Sequence, residues 1–392
     1  MSFTPLTSDF YGFESQLTET EREALAGIRA WLETDVKPLV NDYWDRAEFP
    51  HEILPAFHQQ PIFGMQWDET KAFENSALYR GWVALELARV DASVATYVGV
   101  QNGLAMGAIG VAGSAEQRAE WLPKLASGEL IGAFGLTEPL SGSDSAQGLR
   151  TVATRDGDDW VISGSKRWIG NATFSDIVVI WAKDAADGQV KGFIVPTSTP
   201  GYTATKIERK QALRIVQNAD IVLDEVRVPE SLRLQNANSF RDTAAVLRLT
   251  RAEVAWAAVG VAVGAYEAAL AYANERIQFG KPIASHQLIQ QHLATMMGDI
   301  TASIAMCVRV SQMLDEGTQK DEHAALAKAF ATTRMRDTVA RAREVMGGNG
   351  IVLDYDVARF FNDAEALYSY EGTREMNTLI VGRALTGKAA FV

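Results

Sequence analysis

One carboxylate near the end of the chain lies where it could do chemistry, in the stretch Tyr370-Glu371-Gly372-Thr373. Glu371 stands between two apolar helical segments, and a flexible glycine and a possible helix-capping threonine follow it. Burial raises the pKa of a carboxylate, and a buried carboxylate within reach of a substrate can act as a general base. A carboxylate near a helix start is also often only a partner of the helix dipole. The stretch alone leaves both interpretations open.

A polar loop occupies the middle of the chain, with the order Phe134-Gly135-Leu136-Thr137-Glu138-Pro139-Leu140-Ser141-Gly142-Ser143-Asp144. Its hydroxyls and backbone N–H groups can hold the polar edge of a ring or a phosphate, although the same composition is typical of a surface turn. Trp168, within residues 166–172, can cover an aromatic ring. A lone tryptophan more often belongs to a core.

Two further stretches interrupt the helical C-terminal part. Arg276 offers a planar donor suited to phosphate, yet a helix–helix turn explains its segment equally well. The run Met346-Gly347-Gly348-Asn349-Gly350 ends a helix, and a helix stop accounts for one of its glycines but not for the others. Close approach of a ligand to the backbone would account for them. The run lacks the strand-before, helix-after context of a dinucleotide fingerprint, so that interpretation is rejected.

The patterning of the chain divides it into three regions that must position these residues. Residues 1–130 repeat apolar residues at helical spacing, as in Leu25, Ile28 and Leu32. Residues 131–236 contain short β-rich runs separated by turn signals, which predicts a small antiparallel barrel or sandwich. Residues 237–392 are helical again. The sequence therefore predicts a mainly α protein with a central β domain: a helical bundle, a small β barrel and a second helical bundle.

Composition and charge exclude several classes of function. The net charge of −12 argues against nucleic acid or an anionic membrane as the main partner. A single cysteine, Cys307, rules out an intrachain disulfide, and the five histidines lack metal-ligand spacing, so no metal site is expected. Residues 254–273 are apolar but rich in Ala and Gly, which favours a packed helix over a membrane span. Without a signal-peptide pattern, we expect a cytoplasmic protein.

Taken together and in this order, the stretches resemble the acyl-CoA dehydrogenase family over nearly the whole chain. The branch with glutaryl-CoA dehydrogenase and plant short-chain acyl-CoA oxidase is the most similar, because residues 167–171 and 213–218 look like the oxidase. The resemblance implies an FAD-dependent enzyme that removes a proton from Cα and a hydride from Cβ of an acyl-CoA thioester. Glu371 would be the base, and flavin N5 would take the hydride.

The resemblance also assigns residues to the cofactor and the substrate. The backbone of Phe134 and Leu136 and the hydroxyl of Thr137 would meet the pyrimidine edge of the flavin, and Trp168 would lie against the isoalloxazine. Thr373 and Glu375 would face the FAD phosphate and ribose. The residues that would reach the FAD of a neighbouring subunit, and so imply a homotetramer, are Arg276, Gln278, Phe279, Gln287, Gly347 and Gly348. The residues expected at the substrate are Ser143, which would contact an FAD phosphate or the pantetheine arm, Arg251 near the CoA portion, and Gly372.

Departures from the family pattern leave the electron acceptor open. An electron-transfer flavoprotein is the expected partner of a dehydrogenase. Gly170 stands where the family often has a threonine that reaches flavin N5, which favours the alternative of an oxidase that uses O2. Gln147 stands where the first signature usually ends in a small residue. A non-enzymatic acyl-CoA or flavin binder is a third possibility, and retention of Glu371 argues against it.

The substrate is a second open question. Ala95 stands where glutaryl-CoA dehydrogenases carry an arginine for the distal carboxylate, which favours a short, uncharged acyl chain. Arg80 and Arg89 lie just upstream and could replace that arginine, so glutaryl-CoA dehydrogenase remains an alternative. Tyr97 would shorten the pocket if its side chain pointed inward.

Overall fold

The computed structural model describes residues 4–390. The helices of the N-terminal region are α1 (Glu19–Trp31), α2 (Lys37–Arg46), α3 (Leu54–Phe57), α4 (Ala77–Val90), α5 (Ala92–Val98), α6 (Met106–Ala112) and α7 (Ala115–Ser127). Single π-helical segments join α1 to α2 and α5 to α6. Thr18 and Ser114 form capping boxes at the starts of α1 and α7, and Gly128 ends α7 in the left-handed conformation.

The middle region is a curled seven-stranded sheet. Its strands are β1 (Gly132–Gly135), β2 (Val152–Asp156), β3 (Asp159–Ile169), β4 (Ile177–Asp184), β5 (Val190–Pro196), β6 (Tyr202–Lys206) and β7 (Ala219–Pro229). They pair in the order β1-β4-β2-β3-β7-β6, and β5 pairs with the other edge of β4. One apolar cluster fills the inside of the curl, and a second lies between the sheet and α6 and α7.

The sheet differs in one respect from the antiparallel domain expected from the sequence. Both β1 and β2 pair in parallel with β4, whereas the other pairs are antiparallel. Parallel neighbours need a long connection, and the polar loop between β1 and β2 supplies chain for it. β1 and β2 lie one after the other along the same edge of β4, so the loop of residues 136–151 leaves that edge after β1 and returns to it at β2.

The C-terminal region is helical. It consists of α8 (Phe240–Glu275), a hairpin of β8 (Ile277–Gln278) and β9 (Lys281–Pro282), and then α9 (Gln287–Asp315), α10 (Asp321–Met346), α11 (Val357–Ser369) and α12 (Arg374–Thr386). Thr373 caps α12, and Gly347 and Gly387 follow the ends of α10 and α12 with positive φ. The predicted order of helical, β and helical regions is confirmed.

The two helical regions share one continuous apolar core. Its centre is the contact between α4 and α8, where a Cβ at Gly81 would stand 2.2 Å from the indole nitrogen of Trp256. Only glycine lets the two helices approach so closely. Cys307 is buried in the same core, as expected of a packed thiol, and burial raises its pKa. The helix α8 is thus a fixed element against which the site can be built.

Within residues 4–390, three helical stretches are by length and composition apolar enough to cross a membrane: Ala92–Ala112, Phe240–Glu275 and Gln287–Asp315. Inside the protein, 72% of the apolar stretch is buried in each of the first two, but only 39% in the third, which is α9. Of these stretches, α9 is therefore the one least covered by the rest of the chain.

Candidate active site

A cavity of about 800 Å³ lies where the three regions meet. Its walls come from α4, α5, α8, the loop after β1, the end of β3 and the residues between α11 and α12. The predicted site residues that line it are Phe134, Leu136, Thr137, Ser143, Trp168, Arg251, Glu371, Gly372 and Thr373. Nine positions spread over the sequence thus converge on one cavity.

Glu371 lies in the turn between α11 and α12 with a left-handed backbone, φ 53°, which is uncommon for a residue with a side chain. Its Oε2 accepts a hydrogen bond of 2.7 Å from the hydroxyl of Thr250 on α8. Burial raises the pKa of Glu371, and the Thr250 bond and the charges of Arg251 and Lys328 oppose that rise. The strained backbone and the desolvated carboxylate together are typical of a functional residue.

Lys328 on α10 holds the turn that carries Glu371. Its Nζ donates to the carbonyl oxygens of Tyr368, Tyr370 and Gly372 at 3.2, 2.7 and 2.7 Å. Burial lowers the pKa of Lys328 to about 8. These three bonds satisfy carbonyls at the end of α11 and fix the strained backbone on both sides of the carboxylate.

A buried ion pair holds the polar loop after β1. Glu138 accepts from the Nζ of Lys166 at 2.8 Å and from the backbone N–H groups of Arg150 and Thr151, so the loop folds back on the sheet. The backbone N–H of Arg167 also donates to the carbonyl of Thr137 at 2.8 Å. The hydroxyl of Thr137 lines the cavity and has no hydrogen-bond partner among residues 4–390. It is therefore a free donor for the edge of a bound ring.

Trp168 is not a core residue. It lies at a register shift between β3 and β7, has φ 65°, and leaves 52% of its surface exposed at the cavity. A bulge of this kind turns a side chain out of the sheet. An uncovered indole beside the free Thr137 hydroxyl and the backbone of Phe134 and Leu136 fits a planar, hydrogen-bonding ring system such as a flavin.

The remaining predicted cofactor residues lie outside this cavity. Arg276, Gln278, Phe279, Gln287, Gly347, Gly348 and Glu375 are all exposed. Phe279 and Gly280 form the two-residue turn of the β8–β9 hairpin, both with positive φ, and Phe279 is 94% exposed. Glu375 pairs with the neighbouring Arg374. Within one chain these residues do not line the cavity. Except for Glu375, this is the arrangement expected if they act on a neighbouring subunit. Glu375 was expected at the FAD phosphate and ribose, and that role stays a prediction.

The side-chain positions answer two questions about the substrate pocket that the sequence left open. Tyr97 does not line the cavity: it is buried, and its hydroxyl contacts His58 Nε2 at 2.9 Å, so it cannot shorten the pocket.

Arg89 bonds to Glu86 and Glu267 and lies away from the cavity, so it cannot replace a substrate-binding arginine. Ala95 and Arg80 both line the cavity. Of the two upstream cations, Arg80 alone is in place to meet an acyl chain.

Thr250, Glu253 and Lys328 belong to the site but were not singled out in the sequence. Each carried a signal: Thr250 and Glu253 are polar residues spaced along one face of a mostly apolar helix, and Lys328 is a lone cation in an alanine-rich run. This sequence signal is weak, because polar residues at helical spacing occur on any solvent-exposed helix face. Only the neighbours of these residues in the structure identify them as part of the site.

Three family models match the chain in order. They are the acyl-CoA dehydrogenase N-terminal domain over residues 18–129, the middle domain over 133–226 and the C-terminal domain over 240–386. Each lies within one of the three regions described above.

Solved structures with high similarity cover nearly the whole chain. Two structures of glutaryl-CoA dehydrogenase from Mycobacterium smegmatis, one in complex with FADH2, have a TM-score of 0.94 with 39% and 36% identity, covering 98% of this chain and 99% and 98% of theirs. Butyryl-CoA dehydrogenase from Megasphaera elsdenii has a TM-score of 0.90 and 30% identity, covering 94% of this chain and 99% of that one.

Curated relatives agree with the structures. An acyl-CoA dehydrogenase of Bacillus subtilis is 32% identical over 365 residues, which is 92% of this chain and 96% of the relative. The caffeyl-CoA reductase-Etf complex subunit CarC of Acetobacterium woodii is 31% identical over 355 residues, 89% of this chain and 93% of the relative.

Proposed function

Because this chain belongs to the acyl-CoA dehydrogenase family and is an FAD-dependent enzyme that dehydrogenates acyl-CoA thioesters, we propose that it acts on a short, uncharged acyl chain with Glu371 as the α-proton base. The observation that carries the proposal is the carboxylate of Glu371, desolvated in the cavity and held by Thr250. FAD supplies the hydride-accepting chemistry when it is bound. Every other contribution comes from the chain.

Proton removal from a thioester Cα needs a positioned base and a stabilised oxygen. Glu371 accepts the proton on its carboxylate, whose raised pKa brings it closer to a proton acceptor of useful strength at neutral pH. The hydroxyl of Thr250 orients one oxygen of the Glu371 carboxylate by a hydrogen bond, and Lys328 fixes the backbone on both sides of Glu371. As the resemblance to the family implies, the backbone N–H of Glu371 would donate to the thioester oxygen.

The cofactor is held by residues on two sides of the cavity. The backbone of Phe134 and Leu136 and the Thr137 hydroxyl would bond the flavin edge, and Trp168 would cover its ring. Ser143 lies on the exposed part of the polar loop, where it would reach a phosphate or the pantetheine arm. Thr373 would donate from the start of α12, where helix N-termini favour phosphate.

We expect butyryl-CoA and hexanoyl-CoA to have kcat/KM at least about tenfold above that of glutaryl-CoA, because a buried carboxylate without a partner costs several kcal/mol. Ala95 lines the cavity and cannot pair with a carboxylate. The Mycobacterium smegmatis neighbours are named glutaryl-CoA dehydrogenase, which supports the alternative. Steady-state kinetics with butyryl-, hexanoyl-, octanoyl- and glutaryl-CoA decide between them. Highest kcat/KM for glutaryl-CoA, with release of CO2, would replace the short-chain proposal by oxidative decarboxylation.

The proposed electron acceptor is an electron-transfer flavoprotein, since the relative CarC is named as a subunit of a complex with Etf. An oxidase is the second candidate, because Gly170 leaves the cavity wall without a side chain: a Cβ there would stand 3.0 Å from Val100. Substrate is added anaerobically until the flavin absorbance is bleached, and air is then admitted. Slow reoxidation supports the dehydrogenase, and reoxidation as fast as turnover supports the oxidase.

The assembled protein is expected to be a homotetramer, or at least a dimer. Phe279, Ile277 and Leu288 expose 94%, 52% and 72% of their surfaces on and beside the hairpin, and exposed apolar groups of this kind mark interfaces. We expect Phe279→Asp to yield smaller species with reduced FAD occupancy, measured by light scattering and absorbance. Phe10→Asp makes the same change at an exposed phenylalanine outside the C-terminal region and outside the cavity, and is the control. A wild-type monomer with full FAD would contradict this arrangement.

A further inference from the structure

The inner wall of the cavity holds a second carboxylate that proton abstraction at Cα does not use. Glu253 lies three residues after Thr250 on α8, so both side chains project from the same face of the helix into the cavity. Its Oε2 lies near the backbone of Gly103, where an added Cβ would stand 2.8 Å away. No donor among residues 4–390 makes a hydrogen bond to this carboxylate, and burial raises its pKa to about 7.

Arg80 is the cation that faces Glu253, but the surrounding charge is already negative. The Nη1 of Arg80 donates to the carbonyl and side-chain oxygens of Asn75 at 3.2 and 2.9 Å. Carboxylates of Asp315, Glu253 and Glu21 all act on this guanidinium. Three carboxylates against one guanidinium leave no net positive charge for a substrate carboxylate.

The other two carboxylates are already satisfied. Asp315 accepts from the backbone N–H of Ala77 at 2.9 Å, and Glu21 accepts from the backbone and hydroxyl of Ser76 at 2.7 Å each. Glu253 alone is unpaired and faces the cavity. A desolvated polar group without a hydrogen-bond donor costs free energy until a donor reaches it.

We propose that Glu253 is a specificity-determining residue that accepts a hydrogen bond from a hydroxyl group on the acyl chain. This inference rests on the proposed function, since it concerns the acyl end of the same cavity. Glu253 is three residues, ~4.5 Å, along α8 from the Thr250 that holds the base. The donor group therefore belongs beyond Cβ, toward the end of a short chain. Val83, Ala84, Leu87, Val254 and Ala257 line the apolar remainder of this wall and would pack on the methylenes.

The test compares three esters of equal chain length that end in a methyl, a hydroxyl or a carboxylate: hexanoyl-, ω-hydroxyhexanoyl- and adipyl-CoA. We expect the wild-type protein to prefer the hydroxylated ester over hexanoyl-CoA by about tenfold or more in kcat/KM, because a site built around an acceptor rejects an analogue that lacks the donor. Glu253→Leu should reverse the preference, lowering kcat/KM for the hydroxylated ester and raising it for hexanoyl-CoA. Glu23→Leu makes the same change on the exposed side of α1 and should leave the ratio unchanged.

A binding measurement separates this inference from the proposed function. Calorimetry with non-reactive thioether analogues of the three esters should give the same order of affinity and the same reversal in Glu253→Leu. If no ester reduces the flavin while the affinities still reverse, the proposed function fails and the role of Glu253 stands. Suppose instead that hexanoyl-CoA reduces the flavin, but Glu253→Leu changes neither the kcat/KM ratio nor the affinity ratio of the hydroxylated ester to hexanoyl-CoA. Glu253 is then not a specificity residue. Preference for adipyl-CoA would overturn the inference in favour of Arg80.

Discussion

Replacing Glu371 with glutamine is expected to lower kcat by about 10²–10⁴-fold, the contribution typical of a positioned general base. The amide keeps the size of the side chain and can still accept the Thr250 hydrogen bond, but it cannot take up the α-proton. Folding and FAD content should stay at wild-type values, because Glu371 is not a residue of the proposed flavin-binding wall. Steady-state kinetics together with the flavin-to-protein ratio measure both quantities.

The pH dependence of the wild-type protein gives the same prediction a second readout. The base works in its ionised form, so kcat should fall as the pH drops through the raised pKa of Glu371. In Glu371→Gln this acid limb should be absent from the residual rate. Glu129→Gln, at an exposed position on the surface, is the matched control and should behave as wild type. Activity of Glu371→Gln within tenfold of wild type would exclude Glu371 as the base.

Lys328→Met is expected to lower kcat by about 100-fold, the cost of a small displacement of a catalytic group. Methionine fills the same space but leaves the carbonyls of Tyr368, Tyr370 and Gly372 without their donor. Each buried carbonyl left unpaired costs about 1–3 kcal/mol, so the free energy of unfolding should also fall by about 3 kcal/mol. Chemical denaturation and steady-state kinetics check the two effects.

A positioning role for Lys328 has a signature that simple destabilisation lacks. The positive charge of Lys328 lowers the pKa of Glu371, so its removal should move the acid limb of the kcat profile to higher pH. Lys37→Met breaks only a surface pair with Glu33 and should cost less than about 1 kcal/mol, with no shift of the profile. A Lys328→Met protein with the wild-type profile and kcat would show that the turn does not need this lysine.

Local sequence patterns were sufficient for much of the fold. The capping boxes at Thr18 and Ser114 and the glycine stops at Gly128 and Gly387 depend on short-range contacts, so the local sequence is enough to locate those helix ends. The parallel pairing of β1 and β2 with β4 cannot be predicted in this way, because it depends on which strand edges meet after a long loop. The strand β6 has a weak local signal, because its alternating polar residues resemble a turn-rich segment.

The site shows the same division between local and long-range information. Glu371, Thr137 and Trp168 stand in recognisable stretches, and all three line one cavity. The exposed state of Trp168 was not predictable, since it depends on a register shift against β7. The direction of the Tyr97 side chain could not be predicted either. Its neighbours in sequence line the cavity, but helical geometry turns its ring toward His58. Direction of a side chain is a property of packing rather than of position in a motif.

An anaerobic single-turnover experiment tests the central claim most directly. Wild-type protein and Glu371→Gln, at equal FAD content, are mixed with hexanoyl-CoA and butyryl-CoA without any acceptor, and the flavin absorbance and the product are followed. If Glu371 is the base, the flavin should bleach rapidly in the wild type, with trans-2-enoyl-CoA formed in equal amount to the reduced flavin, and at least about 100-fold more slowly in the variant. Bleaching at the same rate in both proteins, or bleaching without an enoyl product, would contradict proton abstraction by Glu371.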